Sequence, residues 1–291
     1  MAQPLFSIII PTYGRAEYLA EAVDSVLAQT VDDFECLVVD DGSPEPVSLS
    51  TEDDRVRVLR REINGGPSTA RNTGLAHARG RFVAFLDDDD LYLPVRLALA
   101  LEGLARAPVA VCWTAFVGDV LEDDQAAGRR LEGDVAATIL DGHVPAVGAT
   151  ALEREGTPGF DESLDFLEDV EWWRQLAGTH TVATVPRVGH LYRRHDGVRH
   201  RWVPTARPAS NVAYLTQRAE YFAAHPRAAA FRWKRCGLLA LEAGQRSLAR
   251  EAFWRSLRAA PSARTAWHLV RSSLPPRPGG AGPSQATAVK T

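Results

Sequence analysis

Short apolar runs alternate with stretches of helical periodicity over roughly the first 115 residues, and this alternation restricts the fold more than any other feature of the chain. Between the runs, apolar residues recur at helical spacing, as at Leu19, Val23 and Val26. Alternating strands and helices imply right-handed crossovers, and therefore a mainly parallel α/β sheet covered by helices. Five runs have the length and composition of buried strands: residues 6–10, 34–39, 56–59, 82–86 and 109–113.

Polar residues follow three of these runs at the point where each run ends. Thr12 and Tyr13 follow the first run, Asp40 and Asp41 follow the second, and an acidic run begins at Asp87 after the fourth. Because the carboxyl ends of parallel strands meet at one edge of a sheet, we expect these residues to converge there. Open α/β sheets bind their ligands in the crevice at that edge, so the sequence predicts a ligand site built from these loops.

The acidic run consists of Asp87, Asp88, Asp89 and Asp90. Neighbouring carboxylates raise one another's pKa unless a cation compensates their charge. On an extended segment Asp87 and Asp89 would form one pair and Asp88 and Asp90 the other. Carboxylate oxygens suit Mg²⁺ or Mn²⁺, which keep open positions for substrate phosphates. A solvated acidic loop is the alternative, but the position at a strand end favours a divalent metal site.

Asp41, Gly66 and Arg71 are candidate contacts to a nucleotide. The Asp41 carboxylate can accept hydrogen bonds from ribose hydroxyls or a base imide N–H, although Asp and Gly also form ordinary turns. The glycine-rich turn at Gly66 precedes a predicted helix whose first amides favour anions, and Arg71 follows on that helix. A solvated surface role is the alternative for Arg71. The chain lacks a P-loop ending and lacks Gly-x-Gly-x-x-Gly after its first strand, which disfavours a nicotinamide enzyme.

Glu168 and Asp169 fall at the start of a predicted amphipathic helix. Acidic residues in a first helical turn complement the helix dipole, whereas a carboxylate that faces a crevice can act as a general base. His195 lies in a segment rich in Arg and His, and it could ligate a metal or contact a diphosphate. A single His more often has neither role.

Composition restricts the partners and the compartment. The net charge of −4 gives no general attraction to nucleic acid, so none is expected as a partner. The cysteines Cys36, Cys112 and Cys236 have neither disulfide nor metal-ligand spacing, which favours a reducing, cytoplasmic location. We expect no signal peptide and no transmembrane segment, because no apolar run approaches roughly 18 residues; peripheral membrane contact stays open. Abundant Ala, Arg and Gly with a single Met indicate a GC-rich bacterial source.

Taken together, these segments resemble the family 2 glycosyltransferases of the GT-A fold. The resemblance is carried by six motifs in the family's order, over roughly residues 5 to 200. They are residues 7–15 (Ser-Ile-Ile-Ile-Pro-Thr-Tyr-Gly-Arg), 38–43 (Val-Val-Asp-Asp-Gly-Ser), 70–75 (Ala-Arg-Asn-Thr-Gly-Leu), 85–90 (Phe-Leu-Asp-Asp-Asp-Asp), 168–169 (Glu-Asp) and 192–195 (Tyr-Arg-Arg-His).

This resemblance implies a hexosyltransferase-type inverting enzyme that uses Mn²⁺ or Mg²⁺ and transfers sugar from a nucleotide-diphospho-sugar, a UDP-sugar by preference, to an acceptor hydroxyl. It implies that Asp169 is the catalytic base beside Glu168. It implies metal ligation by Asp89, Asp87 and His195. It implies that Pro11, Thr12, Tyr13, Arg15 and Asp41 line the nucleotide pocket and that Asp87 and Asp88 also contact the donor. Gly66 and Arg71, named above, complete the predicted set of nucleotide-sugar contacts.

Periodicity and this resemblance together divide the chain. Residues 1–207 form the predicted GT-A domain, in which residues 1–115 bind the nucleotide sugar and 116–207 bind the acceptor. Residues 208–272 form a helical appendage with helical stretches at 214–224, 231–243 and 248–259, part of which is similar to one tetratricopeptide hairpin. Residues 273–291 are predicted to be a disordered tail.

Two other functions stay under consideration. A sugar-nucleotide pyrophosphorylase would share the sheet, the metal and the nucleotide, but it should carry a glycine-rich basic loop after its first strand, which is missing here. A non-catalytic nucleotide-sugar-binding or scaffold protein should have lost the metal or base residues, and all are present by motif. The acceptor could be a polysaccharide, a glycolipid or a small natural product.

Overall fold

A computed structural model describes residues 3–118, 129–194 and 206–273, with the side chain of residue 194 excepted. The chain divides into two compact units, residues 1–202 and 203–291. In the first unit the strands are β1 (Phe6–Thr12), β2 (Phe34–Asp40), β3 (Val56–Arg60), β4 (Phe82–Phe85), β5 (Leu91–Tyr92), β6 (Val109–Gly118), β7 (Glu132–Gly133), β8 (Thr150–Glu153) and β9 (Val182–Arg194). Its helices are α1 (Ala16–Leu27), α2 (Gly66–His77), α3 (Arg96–Leu104) and α4 (Glu168–Ala177).

The strands form one sheet in the order β3-β2-β1-β4-β8-β6-β9-β5, and β7 also pairs with β9. Strands β3, β2, β1 and β4 are mutually parallel, and β6 is parallel to β9. Strand β8 runs antiparallel between β4 and β6. The mainly parallel α/β sheet predicted from the strand–helix alternation is therefore confirmed.

Helices cover both faces because the central strands are apolar on both sides. Strands β1 and β2 are buried along their whole length. On one face Ile8 and Ile10 belong to a core that also contains Leu19 of α1 and Leu97 of α3. On the other face Ile9 meets α2 at Gly74, where a Cβ would lie 2.4 Å from the Ile9 side chain. A glycine at this position lets the helix approach the sheet closely.

The second half of this unit is more regular than its sequence indicates. The predicted strand at residues 109–113 extends to Gly118 as β6, and the thirteen-residue strand β9 was not predicted. Strand β9 pairs with β6 over ten residue pairs, with register shifts near Trp113. Polar and charged residues in β9 hide its periodicity, and its partners are far away in sequence.

The second unit contains helices α5 (Arg207–Gln217), α6 (Ala219–Ala224), α7 (Pro226–Glu242), α8 (Arg246–Ala259) and α9 (Ala263–Ser273). A small core of Ala240, Ala249 and Phe253 joins α7 to α8, and Leu269 of α9 packs against it. Ser273, placed by sequence at the start of the tail, is instead the last residue of α9. No helix in the described ranges combines the length and the apolar character needed to cross a bilayer.

Candidate functional site

The predicted loops converge at the carboxyl edge of the sheet. Strands β1 and β2 are in register with Thr12 opposite Asp40, and the Asp41 backbone N–H donates to the Thr12 carbonyl at 2.9 Å. On the other side of β1, the Leu86 N–H donates to the Ile9 carbonyl at 3.0 Å, which starts the acidic run beside the same edge. Parallel pairing thus brings three segments together that are far apart in the chain.

The Asp41 carboxylate is buried and binds the start of helix α2. It accepts hydrogen bonds from the Gly65 N–H at 3.1 Å and the Gly66 N–H at 2.6 Å, and it forms an ion pair with Arg61. The amides of the glycine-rich turn, which the sequence offered to an anionic ligand, therefore already contact a carboxylate of the protein. The predicted nucleobase contact of Asp41 and the predicted ligand contact of Gly66 stay predictions.

Residues at the end of β1 contact the middle of the acidic run. The Thr12 hydroxyl donates to Asp88 at 2.7 Å, and Arg15 binds Asp88 at 3.1 Å and Asp89 at 2.7 Å. Both carboxylates are buried. Pro11 is buried within β1, opposite Val39, and Tyr13 is half-buried directly after the strand. Two of the predicted donor contacts, Thr12 and Arg15, therefore bind the predicted metal loop directly, and Pro11 and Tyr13 flank Thr12 in sequence.

The acidic run is a turn and not an extended segment, so the expected pairing of alternate carboxylates is wrong. The Asp90 N–H donates to the Asp87 carbonyl at 3.0 Å, which closes a four-residue turn. In this geometry the neighbours Asp88 and Asp89 both reach Arg15, while Asp87 contacts Arg71. Each end of the run therefore has its own partners.

Arg71 joins the acidic run to the start of helix α4. Its Nη2 donates to Asp87 Oδ1 at 2.5 Å, and its Nη1 lies 3.9 Å from Glu168 Oε1. The guanidinium also lies over the Phe160 ring, with its central carbon 5.1 Å from the ring centroid. The side chain is 5% exposed, and its Nε and Nη1 are buried without a hydrogen bond within the described residues. A buried guanidinium with spare donors is suited to an anionic ligand.

Aromatic packing fixes the start of α4 beside Arg71. Phe160 stacks on Trp172 with ring centroids 5.1 Å apart, and both rings meet Phe85 of β4 edge-on. The Trp172 Nε1–H donates to the Pro158 carbonyl at 2.9 Å. Leu167, which precedes the helix, has a left-handed φ of 70°. A strained non-glycine residue next to a candidate catalytic pair is consistent with backbone held in place by its surroundings.

Two carboxyl groups in the site bind protons more tightly than isolated ones. Burial, followed by the negative charge of Asp169, raises the pKa of Glu168 to about 7, although Arg71 opposes this shift. Burial also raises the pKa of Asp88 to about 6, with the charges of Asp89 and Asp87 adding to it and the Thr12 hydrogen bond opposing it. Asp169 accepts a hydrogen bond from the Val170 N–H at 2.7 Å.

The residues present fit a divalent cation. Five carboxylates, of residues 87, 88, 89, 168 and 169, face the positive charges of Arg15 and Arg71. Burial is the main cause of the raised pKa values of Asp88 and Glu168, and the charges of neighbouring carboxylates add to it, so a bound cation would favour the ionised forms of both groups. Across the described ranges, no three His, Cys, Asp or Glu side chains are grouped so as to hold an ion alone. Mg²⁺ commonly takes only one or two carboxylates plus ligand phosphates, which Asp87 and Asp89 can supply. His195, the third predicted ligand, lies outside the described residues.

A buried contact between Asp90 and His190 was not predicted from the sequence. Asp90 Oδ2 lies 3.0 Å from His190 Nε2, and His190 Nδ1 lies 3.1 Å from the Thr114 hydroxyl. Asp90 Oδ1 also accepts from the Arg193 N–H at 3.0 Å. Burial raises the pKa of Asp90, while His190 opposes the shift. No local pattern identifies His190, because its partner is 100 residues away.

Residues 7–144 match the family model Glycosyl transferase family 2. The chain is similar to an uncharacterized glycosyltransferase of Rickettsia felis, with 42% identity over 33% of this chain and 16% of that protein. It is similar to the succinoglycan biosynthesis protein ExoW of Rhizobium meliloti, with 40% identity over 38% of each chain. It is also similar to the UDP-Glc:alpha-D-GlcNAc-diphosphoundecaprenol beta-1,3-glucosyltransferase WfgD of Escherichia coli, with 31% identity over 43% of this chain and 50% of WfgD. The matched segments thus span half or less of each of these relatives.

Two solved structures share the fold. S. aureus TarS 1–349 in complex with UDP-GlcNAc superposes with a TM-score of 0.58 at 18% identity, over 92% of this chain and 79% of that one. The mannosyltransferase PcManGT of Pyrobaculum calidifontis, in complex with GDP-Man and Mn²⁺, gives a TM-score of 0.55 at 19% identity, over 93% and 80%. At these identities the likeness establishes the architecture alone.

Proposed function

This chain belongs to the family 2 glycosyltransferases and has the GT-A fold, and on that basis we propose that it is a metal-dependent, inverting glycosyltransferase of the hexosyltransferase type. It transfers a sugar from a nucleotide-diphospho-sugar to an acceptor hydroxyl. The observation that carries this proposal is Arg71, which contacts both the acidic turn at Asp87 and the start of α4 at Glu168. The buried Arg71 guanidinium thereby connects the proposed donor-binding residues to the proposed base motif.

The donor lies along the edge formed by β1, β2 and the acidic turn. Thr12, Tyr13, Arg15 and Asp41 would contact the nucleoside, and Asp87 with Asp89 would hold a divalent cation. UDP-sugars are favoured because a UDP-GlcNAc complex is among the similar structures and WfgD is named for UDP-Glc. The GDP-Man complex of PcManGT supports GDP-sugars as the second candidate.

The chemistry follows from charge and position. Asp87 and Asp89 would hold the divalent cation, which when bound would supply positive charge beside the departing diphosphate. Arg71 and Arg15 add fixed positive charge, and Arg71 has donors that make no hydrogen bond within the described residues. Asp169, at the start of α4, takes the proton from the acceptor hydroxyl as its oxygen attacks the anomeric carbon. Attack from the face opposite the diphosphate inverts that carbon, by the geometric rule that separates inverting from retaining sugar transfer.

The acceptor is a hydroxyl of a growing polysaccharide. The names of ExoW, a succinoglycan biosynthesis protein, and of WfgD, which acts on a lipid-linked sugar, support this class. The acceptor reaches the site from the half of the first unit that contains β6, α4 and β9.

Donor binding tests the nucleotide part of the proposal. We expect isothermal titration in the presence of Mn²⁺ to show binding of UDP, and weaker or no binding of GDP and dTDP. The same titration with a chelator should lose most of the heat, because the diphosphate then meets uncompensated carboxylates. If none of the three nucleotides binds, the proposed donor class is wrong.

The base is tested by Asp169→Asn, which keeps the size of the side chain and removes its basicity. We expect kcat to fall by about 10² to 10⁴ while the UDP dissociation constant stays within about twofold, since general base catalysis has that magnitude. Asp165→Asn, the same chemical change at a nearby exposed position, is the matched control. Wild-type turnover by Asp169→Asn would contradict the assignment, and an anomeric proton spectrum of the product distinguishes inversion from retention.

A further inference from the structure

The second unit carries a charge opposite to that of the whole chain. Residues 206–273 contain twelve Arg and Lys against three Asp and Glu, a net charge of +9 in a chain whose net charge is −4. Most of this charge lies on α7, α8 and α9, where Arg250, Arg258, Arg264 and Arg271 are exposed. A local excess of this size attracts anionic surfaces even though the molecule as a whole is acidic.

The same helices expose large apolar side chains. Trp254 of α8 is 51% exposed, and Trp267 and Val270 of α9 are 55% and 61% exposed. Trp267 and Val270 are three residues apart, so they lie on the same side of α9. Single exposed apolar residues are ordinary, but two exposed Trp and one exposed Val on two adjacent helices are more than a soluble surface usually carries.

Contacts between α8 and α9 place the two Trp residues at the same level of the hairpin. Phe253 stacks on His268 with ring centroids 5.5 Å apart, and Trp254 and Trp267 are their sequence neighbours. Each Trp also has an arginine over its ring: Arg258 lies 4.7 Å from the centroid of Trp254, and Arg271 lies 5.1 Å from that of Trp267. Exposed rings and guanidinium groups therefore alternate along both α8 and α9, and the hairpin surface is defined here as Trp254, Arg258, Trp267, Val270 and Arg271.

We propose that this hairpin surface binds the anionic headgroup region of a lipid bilayer. Basic residues interleaved with Trp on an amphipathic helix are suited to the membrane interface, where the rings enter the headgroup layer and the guanidinium groups meet lipid phosphates. The exposed Val270 favours lipid over a nucleic acid, because an aliphatic side chain neither stacks on bases nor binds phosphate. The net charge of +9 on residues 206–273 is complementary to anionic lipid headgroups. This proposal therefore does not depend on the proposed transferase activity.

Vesicle co-sedimentation of the full-length chain tests the proposal. We expect binding to vesicles that contain about one third phosphatidylglycerol, little binding to pure phosphatidylcholine, and loss of binding as ionic strength rises. Arg258→Gln with Arg271→Gln should weaken binding by about tenfold or more, since each arginine near an anionic surface contributes substantially. Trp254→Ala with Trp267→Ala should weaken binding at all salt concentrations, because it removes an apolar contribution.

Arg81→Gln with Arg187→Gln is the matched control, because it makes the same charge change at exposed positions of the first unit. We expect this variant to bind vesicles as the wild type does. The proposal would be overturned if both double Arg→Gln variants lost vesicle binding equally, or if the wild type did not bind anionic vesicles at all. It would also be overturned if light scattering showed that the Trp variants dissociate a dimer, or if single-stranded nucleic acid competed fully with vesicles, because the surface would then serve another partner.

Discussion

Glu168 is a carboxyl of the site whose pKa is raised well above its ordinary value, chiefly by burial. Its carboxyl lies 3.9 Å from Arg71, its side chain is 21% exposed, and its pKa is raised to about 7 by burial and by Asp169. A carboxyl with a pKa near neutrality is half protonated under ordinary conditions, whereas its neighbour Asp169 is the proposed base. The Asp169 carboxylate accepts a hydrogen bond from the Val170 N–H at 2.7 Å.

The raised pKa of Glu168 predicts how pH affects the metal-free protein. The unfolded chain loses this proton near pH 4.5, while the native state keeps it to about pH 7. The native state binds more protons in that window, so this group's contribution to stability is present below about pH 4.5 and is lost as pH rises through about 7.

Glu168→Gln removes that dependence. In the presence of a chelator, we expect the variant to unfold like the wild type near pH 5 and to be more stable by on the order of 1 to 2 kcal/mol near pH 8, after a discount for partial exposure. Denaturant unfolding at several pH values measures this difference. Glu155→Gln, at an exposed position, should show no such divergence. Parallel pH profiles for wild type and Glu168→Gln would show that Glu168 ionises normally.

At the scale of elements, the acidic turn is held from two sides. Thr12 and Arg15 hold Asp88 from β1 and the turn that follows it, while His190 and the Arg193 N–H hold Asp90 from β9. The candidate metal ligand Asp89 lies between these two attachments. Its position is therefore set by the packing of β9 as well as by the acidic run itself.

His190→Leu should be destabilising because it leaves the buried Asp90 carboxylate without its side-chain partner. We expect a loss of about 3 to 5 kcal/mol, the usual cost of an uncompensated buried charge. The double variant His190→Leu with Asp90→Asn should recover part of this loss, because the remaining group is neutral. Denaturant unfolding of wild type, both single variants and the double variant gives the coupling energy. Additive effects would mean that the contact between Asp90 and His190 contributes nothing.

At the scale of the whole molecule, the chain combines an acidic unit that carries the site with a strongly basic helical unit. The core of the helical unit joins α7 and α8 closely, and a Cβ at Gly237 would lie 2.6 Å from the Phe253 ring. Phe253 is fully buried, so its ring has little space in which to move. A side chain larger than hydrogen at Gly237 would therefore displace the Phe253 ring or push the two helices apart.

Gly237→Ala should destabilise the helical unit by about 1 to 2 kcal/mol, the cost of overpacking less the gain in helix propensity. Hydrogen exchange should accelerate in α7 and α8 while β1 to β4 and the UDP dissociation constant stay unchanged, because the two units are each compact. Gly178→Ala is the control, since the nearest atom to its Cβ is at 3.4 Å. Equal acceleration in the sheet would show that the two units unfold together.

The sequence by itself determined the sheet and the edge at which the site lies. Buried strands such as Phe6–Thr12 are apolar on both faces, and polar residues can follow them only where the strand leaves the core. Parallel pairing then puts Thr12, Asp41 and Asp87 at one edge whatever the details of packing. The start of α4 at Glu168 was also predictable, because Val170, Trp173 and Leu176 form a buried face at helical spacing.

Only the tertiary structure decided which side chains meet within that edge. Residues Asp87 to Asp90 form a turn, whereas the preceding strand had suggested an extended segment. Because of this turn, Arg15 forms ion pairs with two adjacent carboxylates. Arg71 reached Glu168 across 97 positions of the chain only because α2 and α4 approach the same face of the sheet. The Asp90 carboxylate contacts His190, which lies on β9, a strand whose polar residues conceal its periodicity. Such contacts depend on the packing of segments distant in sequence, and no local pattern records them.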